Sequence, residues 1–352
     1  MINPKLHRYV EKLDSQQSYL VTEFVDNYED GVMRRRDLIE RVYSITGSVA
    51  AAAATLLALG VKPAHADPLA SADAAPPLQT PPQSPLTVPA NDPAVVAGKV
   101  TFRASDGATI MGYWARPNAA GRFPAVLICH ENAGTSEHFE DVARRFAKKG
   151  YVGLHLDLLS RRGGTDAVPT NERGGALTGP GATDQWVSDF RAAMAFLRTQ
   201  PFVIADRIGM TGYCFGGGVT LNVVAKEPTL RAAAPYYGTP AFPDELRNAR
   251  AAVLGVYGGN DERVNATIPT VEAGLRAAGV PFKANIYPGA GHGFFNDTRA
   301  TGYSDSASLA AWRDTLEWFG TYLRVAGASA LPATGDGSTE GEATEPDQLT
   351  EE

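Results

Sequence analysis

Gly212-Tyr213-Cys214-Phe215-Gly216-Gly217-Gly218 is the stretch of this sequence best suited to covalent chemistry. The run Arg207-Ile208-Gly209-Met210-Thr211 before it reads as a buried strand, and Val219 to Ala225 after it reads as a buried helix. A strand that turns sharply into a helix, with glycine on either side of one polar residue, is the G-x-S-x-G elbow, here with cysteine in the serine position. Such a turn strains the central residue and needs small neighbours where strand and helix crowd together. Cys214 would then stand at a helix N-terminus, where the dipole favours a thiolate. The plain alternative is a glycine-rich turn around a buried structural cysteine.

A thiol nucleophile needs a base, and the base needs an orienting carboxylate; after an elbow of this kind they follow in the order acid, then histidine. The apolar run Val253 to Tyr257 leads into Gly258-Gly259-Asn260-Asp261-Glu262-Arg263-Val264, and Lys283 to Tyr287 leads into Pro288-Gly289-Ala290-Gly291-His292-Gly293-Phe294. Asp261 and His292 therefore each lie just past a strand. Singly, each has an ordinary reading. Asp261 could cap the next helix, with Glu262 a rival for the acid role, and His292 could simply pack against Phe294 and Phe295. The order and placement of all three point to a nucleophile, base and acid converging at one sheet edge.

A fourth group lies in Cys129-His130-Glu131-Asn132-Ala133-Gly134, past the apolar run Phe123 to Cys129. The loop at this place supplies one oxyanion-hole N–H and the residue after the nucleophile supplies the other, so Asn132 and Phe215 are the candidate donors. Glu131 beside that hole would be costly to leave ionised and unpaired in an apolar cleft. It should be paired, protonated or functional, unless it is a plain surface-loop glutamate.

Elements to hold these loops are legible between residues 94 and 325. Lys99 to Arg103 and Ala108 to Arg116 read as strands around a Ser105-Asp106-Gly107 turn, followed by strands Phe123 to Cys129 and Tyr151 to Leu156. Strands Ala232 to Tyr237, Ala251 to Tyr257 and Lys283 to Tyr287 come later. Phe139, Val142, Ala143 and Phe146 make one helical stripe; Trp186, Phe190, Ala193, Met194 and Leu197 a second; Leu309, Trp312, Leu316, Phe319 and Leu323 a third. A shorter helix is expected from about Ile268 to Ala278. Apolar strands alternating with amphipathic helices predict an α/β domain: a mostly parallel twisted sheet with helices on both faces and reactive loops at the strands' carboxyl ends.

The rest of the 352-residue chain reads differently. Residues 1–66 carry Arg34-Arg35-Arg36, the uncharged stretch Tyr43 to Val61 and Ala64-His65-Ala66. Positive flank, apolar segment and A-x-A site are the marks of an export signal, and the paired arginines suggest the twin-arginine route and a periplasmic destination. This leader is expected to stand apart from the fold; an uncleaved membrane anchor is the alternative. Tyr19 to Val25 could form an amphipathic helix of its own. Residues 67–93 are rich in proline and alanine and read as a stiff linker. Residues 326–352 form an acidic tail with seven carboxylates and no Lys or Arg; the formal net charge of −7 resides there, leaving a formally neutral body. No basic stripe suits a nucleic acid. With two cysteines, Cys129 and Cys214, no disulfide framework or cysteine zinc cluster is available.

The Glu131 loop, Asp157-Leu158, Gly212-Tyr213-Cys214-Phe215-Gly216-Gly217, Gly258-Gly259-Asn260-Asp261 and Gly291-His292-Gly293-Phe294 together resemble the dienelactone hydrolase (carboxymethylenebutenolidase) family, from about Val95 to Leu323. The resemblance implies an α/β-hydrolase fold and a Cys214, Asp261, His292 triad that opens lactones or small esters through a cysteinyl intermediate. It also implies that Glu131 holds or deprotonates the thiol, and that no metal or organic cofactor is required. Members that cleave dienelactone carry an arginine a few residues after the histidine, where Asn296 stands here. Arg161, Arg162 and Arg173, in the loop after Asp157, are the substitutes expected to meet a substrate carboxylate. The expected partner is a small-molecule lactone or ester, with the chain acting as a monomer. The competing reading is a non-catalytic or redox-responsive binding protein, which a Cys129–Cys214 disulfide would favour.

Overall fold

Central strands buried on both faces and flanking strands that are partly exposed build one eight-stranded sheet in a computed structural model of the chain, which describes residues 9–29, 33–61, 84–178, 181–299 and 301–324. The strands are β1 (Val95–Arg103), β2 (Thr109–Pro117), β3 (Phe123–Cys129), β4 (Val152–Asp157), β5 (Val203–Tyr213), β6 (Ala232–Tyr236), β7 (Ala252–Gly258) and β8 (Phe282–Tyr287). Their order is β1-β2-β4-β3-β5-β6-β7-β8. β1 and β2 pair antiparallel, as do β2 and β4, and every other pairing is parallel. All the parallel strands therefore end at one edge, which gathers the loops after β3, β5, β7 and β8.

The α-helices that accompany the sheet include α1 (Ser15–Glu29), α2 (Arg35–Thr46), α3 (Val49–Ala58), α4 (Glu137–Lys148), α5 (Arg173–Leu177), α6 (Ala182–Arg198), α7 (Phe215–Lys226), α8 (Glu262–Asn265), α9 (Ile268–Ala278) and α10 (Asp305–Leu323). Helices α4 and α10 cover one face together. Phe146 meets Trp312 with ring centroids 4.6 Å apart, and Gly153 and Gly209, both opposite Val126, admit Ala143 and Leu323 to that face. Gly212 lies three residues past Gly209 and so points to the other face, where Thr220 of α7 approaches it. There α6 packs on α7 through Trp186 and Phe215, 5.0 Å between centroids. This is the mostly parallel sheet with helices on both faces expected from the alternation of elements, and the α/β-hydrolase architecture that the family resemblance implies.

The N-terminal region departs from expectation. Rather than standing apart from the domain, α1, α2 and α3 pack against it. Leu20, Val21 and Phe24 of α1 and Leu38 and Val42 of α2 are fully buried in the same apolar core as the sheet. The long uncharged stretch breaks at Gly47, which closes α2 in a left-handed conformation (φ 72°), and Ser48, whose hydroxyl caps α3 by accepting from Ala51 N. No single described helix is long and apolar enough to cross a membrane; α2 and α3 reach that length only together, bent by 112°. Of the expected linker, residues 67–83 lie outside the described residues, as does the acidic tail. Ser84 to Val88 are tied down: Val88 N donates to Asp141 Oδ1 (2.7 Å) and Arg144 Nε donates to Val88 O (2.6 Å).

Candidate active site

β5 runs straight into α7, and the residue at the corner is Cys214, with φ 55° and ψ −120°. A non-glycine residue in that region is strained, and the packing around it enforces the strain. A Cβ at Gly216 would lie 2.5 Å from His130 O, and one at Gly212 would strike Gly216 O. Only glycine at both positions lets β3, β5 and α7 approach closely enough to turn at Cys214. Phe215 opens α7, so its N–H is among those with no i−4 acceptor in the helix.

The loops after β7 and β8 bring the other two residues to Cys214. Asp261 caps α8, its Oδ1 accepting from Val264 N (3.3 Å), and its Oδ2 accepts from His292 Nδ1 at 2.7 Å. Capping and histidine orientation are thus both performed by Asp261. Glu262, the rival acid, is the first residue of α8, and no hydrogen bond ties it to His292. Cys214 Sγ and a ring nitrogen of His292 lie within 4.8 Å of one another, and all three side chains are buried. Both cysteines are free and buried, so no disulfide links Cys129 to Cys214.

The loop after β3 is built around His130. Its Nδ1 donates to Glu131 O (2.6 Å) while its Nε2 accepts from Leu158 N (3.1 Å), and burial holds its pKa below the ordinary histidine value. A neutral His130 therefore fixes the backbone at Glu131 and Asn132. Arg173 Nη1 donates to Ala133 O (2.7 Å) and supports the same loop. Asn132 is buried here, and its side-chain Nδ2 has no hydrogen-bond partner among the described residues.

Glu131 does not hold the thiol. Its Oε2 accepts from Asn296 Nδ2 and from Arg299 Nη2, both at 3.1 Å, so the carboxylate beside the oxyanion loop is paired. The group on Cys214 is Glu23 of α1, whose Oε2 accepts from Sγ at 2.7 Å and lies 3.1 Å from His292 Nε2. Its Oε1 accepts from Arg263 Nη2. Glu23 is fully buried. Burial would raise its pKa, but the charges of His292 and Arg263 outweigh that and hold it well below the carboxylate range. Burial, then the Glu23 charge, push the Cys214 thiol up to about 12 against the pull of His292. Burial disfavours a charged His292, yet Glu23 and Cys214 raise its pKa well above the ordinary value. The site therefore holds a thiol, an imidazolium and a carboxylate. Among the described residues these three side chains also have the spacing to hold a metal ion, but here Sγ donates a hydrogen bond to Glu23.

The expected substrate arginines are placed elsewhere. Arg161 pairs with Asp106 (2.6 Å) and Asp189 (2.7 Å); Arg162 is exposed in a groove of about 390 Å³ beside Ser44 and Val168; Arg173 serves the Ala133 carbonyl. Ion pairs to the β1–β2 turn and to α6 claim Arg161 and a backbone carbonyl claims Arg173, a distribution that loop position in the sequence does not reveal. The cations at the site are Arg263, two residues past Asp261, and Arg299, three past Asn296. Their proximity to the triad residues was the available signal. Glu23 carried none, because its partner lies 191 residues away.

Comparisons with known proteins agree with this fold. The Dienelactone hydrolase family profile matches residues 110–323. A Methylorubrum extorquens protein named "Putative carboxymethylenebutenolidase" is 33% identical over 67% of this chain and 84% of its own length, and a Salmonella typhimurium protein of the same name is 33% identical over 68% and 93%. A crystal structure from Klebsiella pneumoniae, of a protein named "Putative Dienelactone Hydrolase", superposes with a TM-score of 0.59 at 30% identity, covering 65% of this chain and 100% of that one.

Proposed function

The chain belongs to the dienelactone hydrolase family, an ester or lactone hydrolase by that membership, and on that premise we propose that it works through a covalent cysteinyl intermediate at Cys214. The observation that carries the reading is a cysteine at a positive-φ corner of strand and helix, within 4.8 Å of a histidine that a carboxylate orients at 2.7 Å. With substrate in the cleft and His292 neutral, Nε2 takes the thiol proton and Sγ attacks the carbonyl carbon. The Phe215 and Asn132 N–H groups receive the negative charge that develops on the carbonyl oxygen. The C–O bond to the leaving alcohol breaks as His292 returns the proton to that oxygen, leaving a thioester. His292 then takes a proton from water; the hydroxide oxygen bonds to the carbonyl carbon, the C–S bond breaks, the thiol is reprotonated and a carboxylic acid departs. Asp261 holds His292 in the tautomer this requires. Glu131, paired with Arg299 and Asn296, shapes the wall beside the oxyanion loop.

The test is turnover of p-nitrophenyl acetate by wild type and Cys214→Ala. The expected result is a loss of at least about 10³-fold; undiminished turnover by Cys214→Ala excludes the cysteinyl route.

A further inference from the structure

We propose that this cleft takes a carboxylate as its ligand and that α1 supplies one in cis, Glu23 sitting on Cys214, His292 and Arg263 as the acid product of ester cleavage would and so closing the site. The comparison with a product rests on the reading of Cys214 as nucleophile; the occupancy does not. One oxygen of Glu23 touches the sulfur and faces the imidazole, where an acyl oxygen would lie, and the other is held by Arg263.

The seat is built on both sides. A fully buried carboxylate is costly unless paired and hydrogen-bonded, and Glu23 has the thiol, the imidazole and the guanidinium. Its neighbours on α1 are anchored in the body: the Phe24 ring lies where a Cβ on Gly174 would sit 2.5 Å from it, and Arg41 of α2 stacks over the same ring at 5.4 Å. Beside this, a Cβ on Gly175 would sit 2.9 Å from Ser44 O. Two consecutive glycines of α5 thus let α1 and α2 dock closely.

The occupant is also no part of the segment that the family shares. The family match starts at residue 110, so α1 lies outside it, and the chain from 62 to 83 joins the leader to the approach to β1. While Glu23 is seated, no substrate carbonyl reaches Sγ, and the imidazole facing it carries its proton already and cannot serve as base. Displacing α1 returns Glu23 to water and opens the cleft.

The experiment uses the full chain as wild type, Glu23→Ala, Glu23→Gln and Phe24→Ala. It reads iodoacetamide modification of Cys214 by peptide mass, p-nitrophenyl acetate turnover, and protection by propionate. We expect Glu23→Ala to raise both the alkylation rate and turnover at least tenfold, with Phe24→Ala and Glu23→Gln raising them less. Propionate should slow alkylation in Glu23→Ala and leave wild type unaffected. Buried Cys129 must stay unmodified as the sign of a folded body. If Cys129 also reacts in Glu23→Ala, the near-isosteric Glu23→Gln decides the matter by the same readouts. Wild-type rates of alkylation in every variant overturn the proposal, as does loss of turnover in Glu23→Ala with alkylation unchanged. Equal ester turnover in all chains overturns the plug and leaves the hydrolase reading intact. Faster Cys214 alkylation without turnover in any chain keeps the plug and removes the hydrolase reading.

Discussion

Cys214 owes its backbone conformation to what its neighbours lack. At Gly216 the nearest atoms to an added Cβ are backbone atoms of residues 129 and 130, which cannot move aside as a side-chain end would. Gly216→Ala should therefore cost about 2 kcal/mol by overpacking and shift the Cys214 corner, seen as a lower urea midpoint together with lost esterase activity. A second residue-scale expectation concerns Glu131, whose carboxylate is 7% exposed beside an Arg299 side chain that is 11% exposed. Arg299→Ala leaves the carboxylate with Asn296 alone and should destabilise the chain by about 3 kcal/mol. A urea midpoint within error of wild type would mean that Glu131 does not rely on this pair.

At the scale of elements, loops are held in place by buried charge. Asp297, past β8, accepts from His138 Nδ1 and from Arg145 Nη2, both at 2.6 Å, and from Ser84 N at 3.2 Å. It therefore joins the β8 loop, α4 and the segment entering β1. Burial would raise its pKa, but His138 and Arg145 outweigh that and hold it below the carboxylate range. A depressed carboxylate stabilises the fold above its unfolded pKa of about 4 and loses that contribution as pH falls through the folded value. Asp297→Asn should cost about 3 kcal/mol at pH 7, and the gap between variant and wild type should narrow below about pH 4, as followed by urea titration. The strands and long helices were legible in the sequence because burial on both faces, or on one face, leaves its period in the residue types. Helix α9 spans Ile268–Ala278 as expected, and β3 spans Phe123–Cys129. The docking of α1 to α3 on the body was not legible. Charged flank followed by an apolar stretch has the same composition whether the segment is an export signal or a helix pair docking on a body. The apolar side of Tyr19 to Val25 was visible, but the pairing of Glu23 with Cys214 depends on tertiary closure. The same holds for Arg263 and Arg299, which sit near readable motifs yet owe their partners to how loops fold back.

Across the whole molecule, the single sheet sets four loops at one edge and also buries histidines beneath them. His155 of β4 is 1% exposed, and burial, helped by His130, pulls its pKa down to about 3. The unfolded chain protonates this residue near pH 6.5, so between about 6.5 and 3 it binds a proton that the fold refuses. Stability should thus fall on acidification by about 1.4 kcal/mol per pH unit from this group. His292, whose pKa is raised, acts oppositely: its contribution is present below about pH 6.5 and is lost as pH rises through its folded value. His155→Gln should flatten the slope of unfolding free energy between about pH 6 and 4 by one proton; parallel curves would refute the assignment. The central claim, that the sheet edge assembles a covalent cysteine hydrolase, is tested most directly by trapping the intermediate. Acid quench during p-nitrophenyl acetate turnover, in wild type and in Glu23→Ala, followed by intact and peptide mass, should find one acetyl group on the peptide containing Cys214 and none in Cys214→Ala. Turnover at an undiminished rate with Cys214 unacetylated, or with acetyl on another residue, would contradict it.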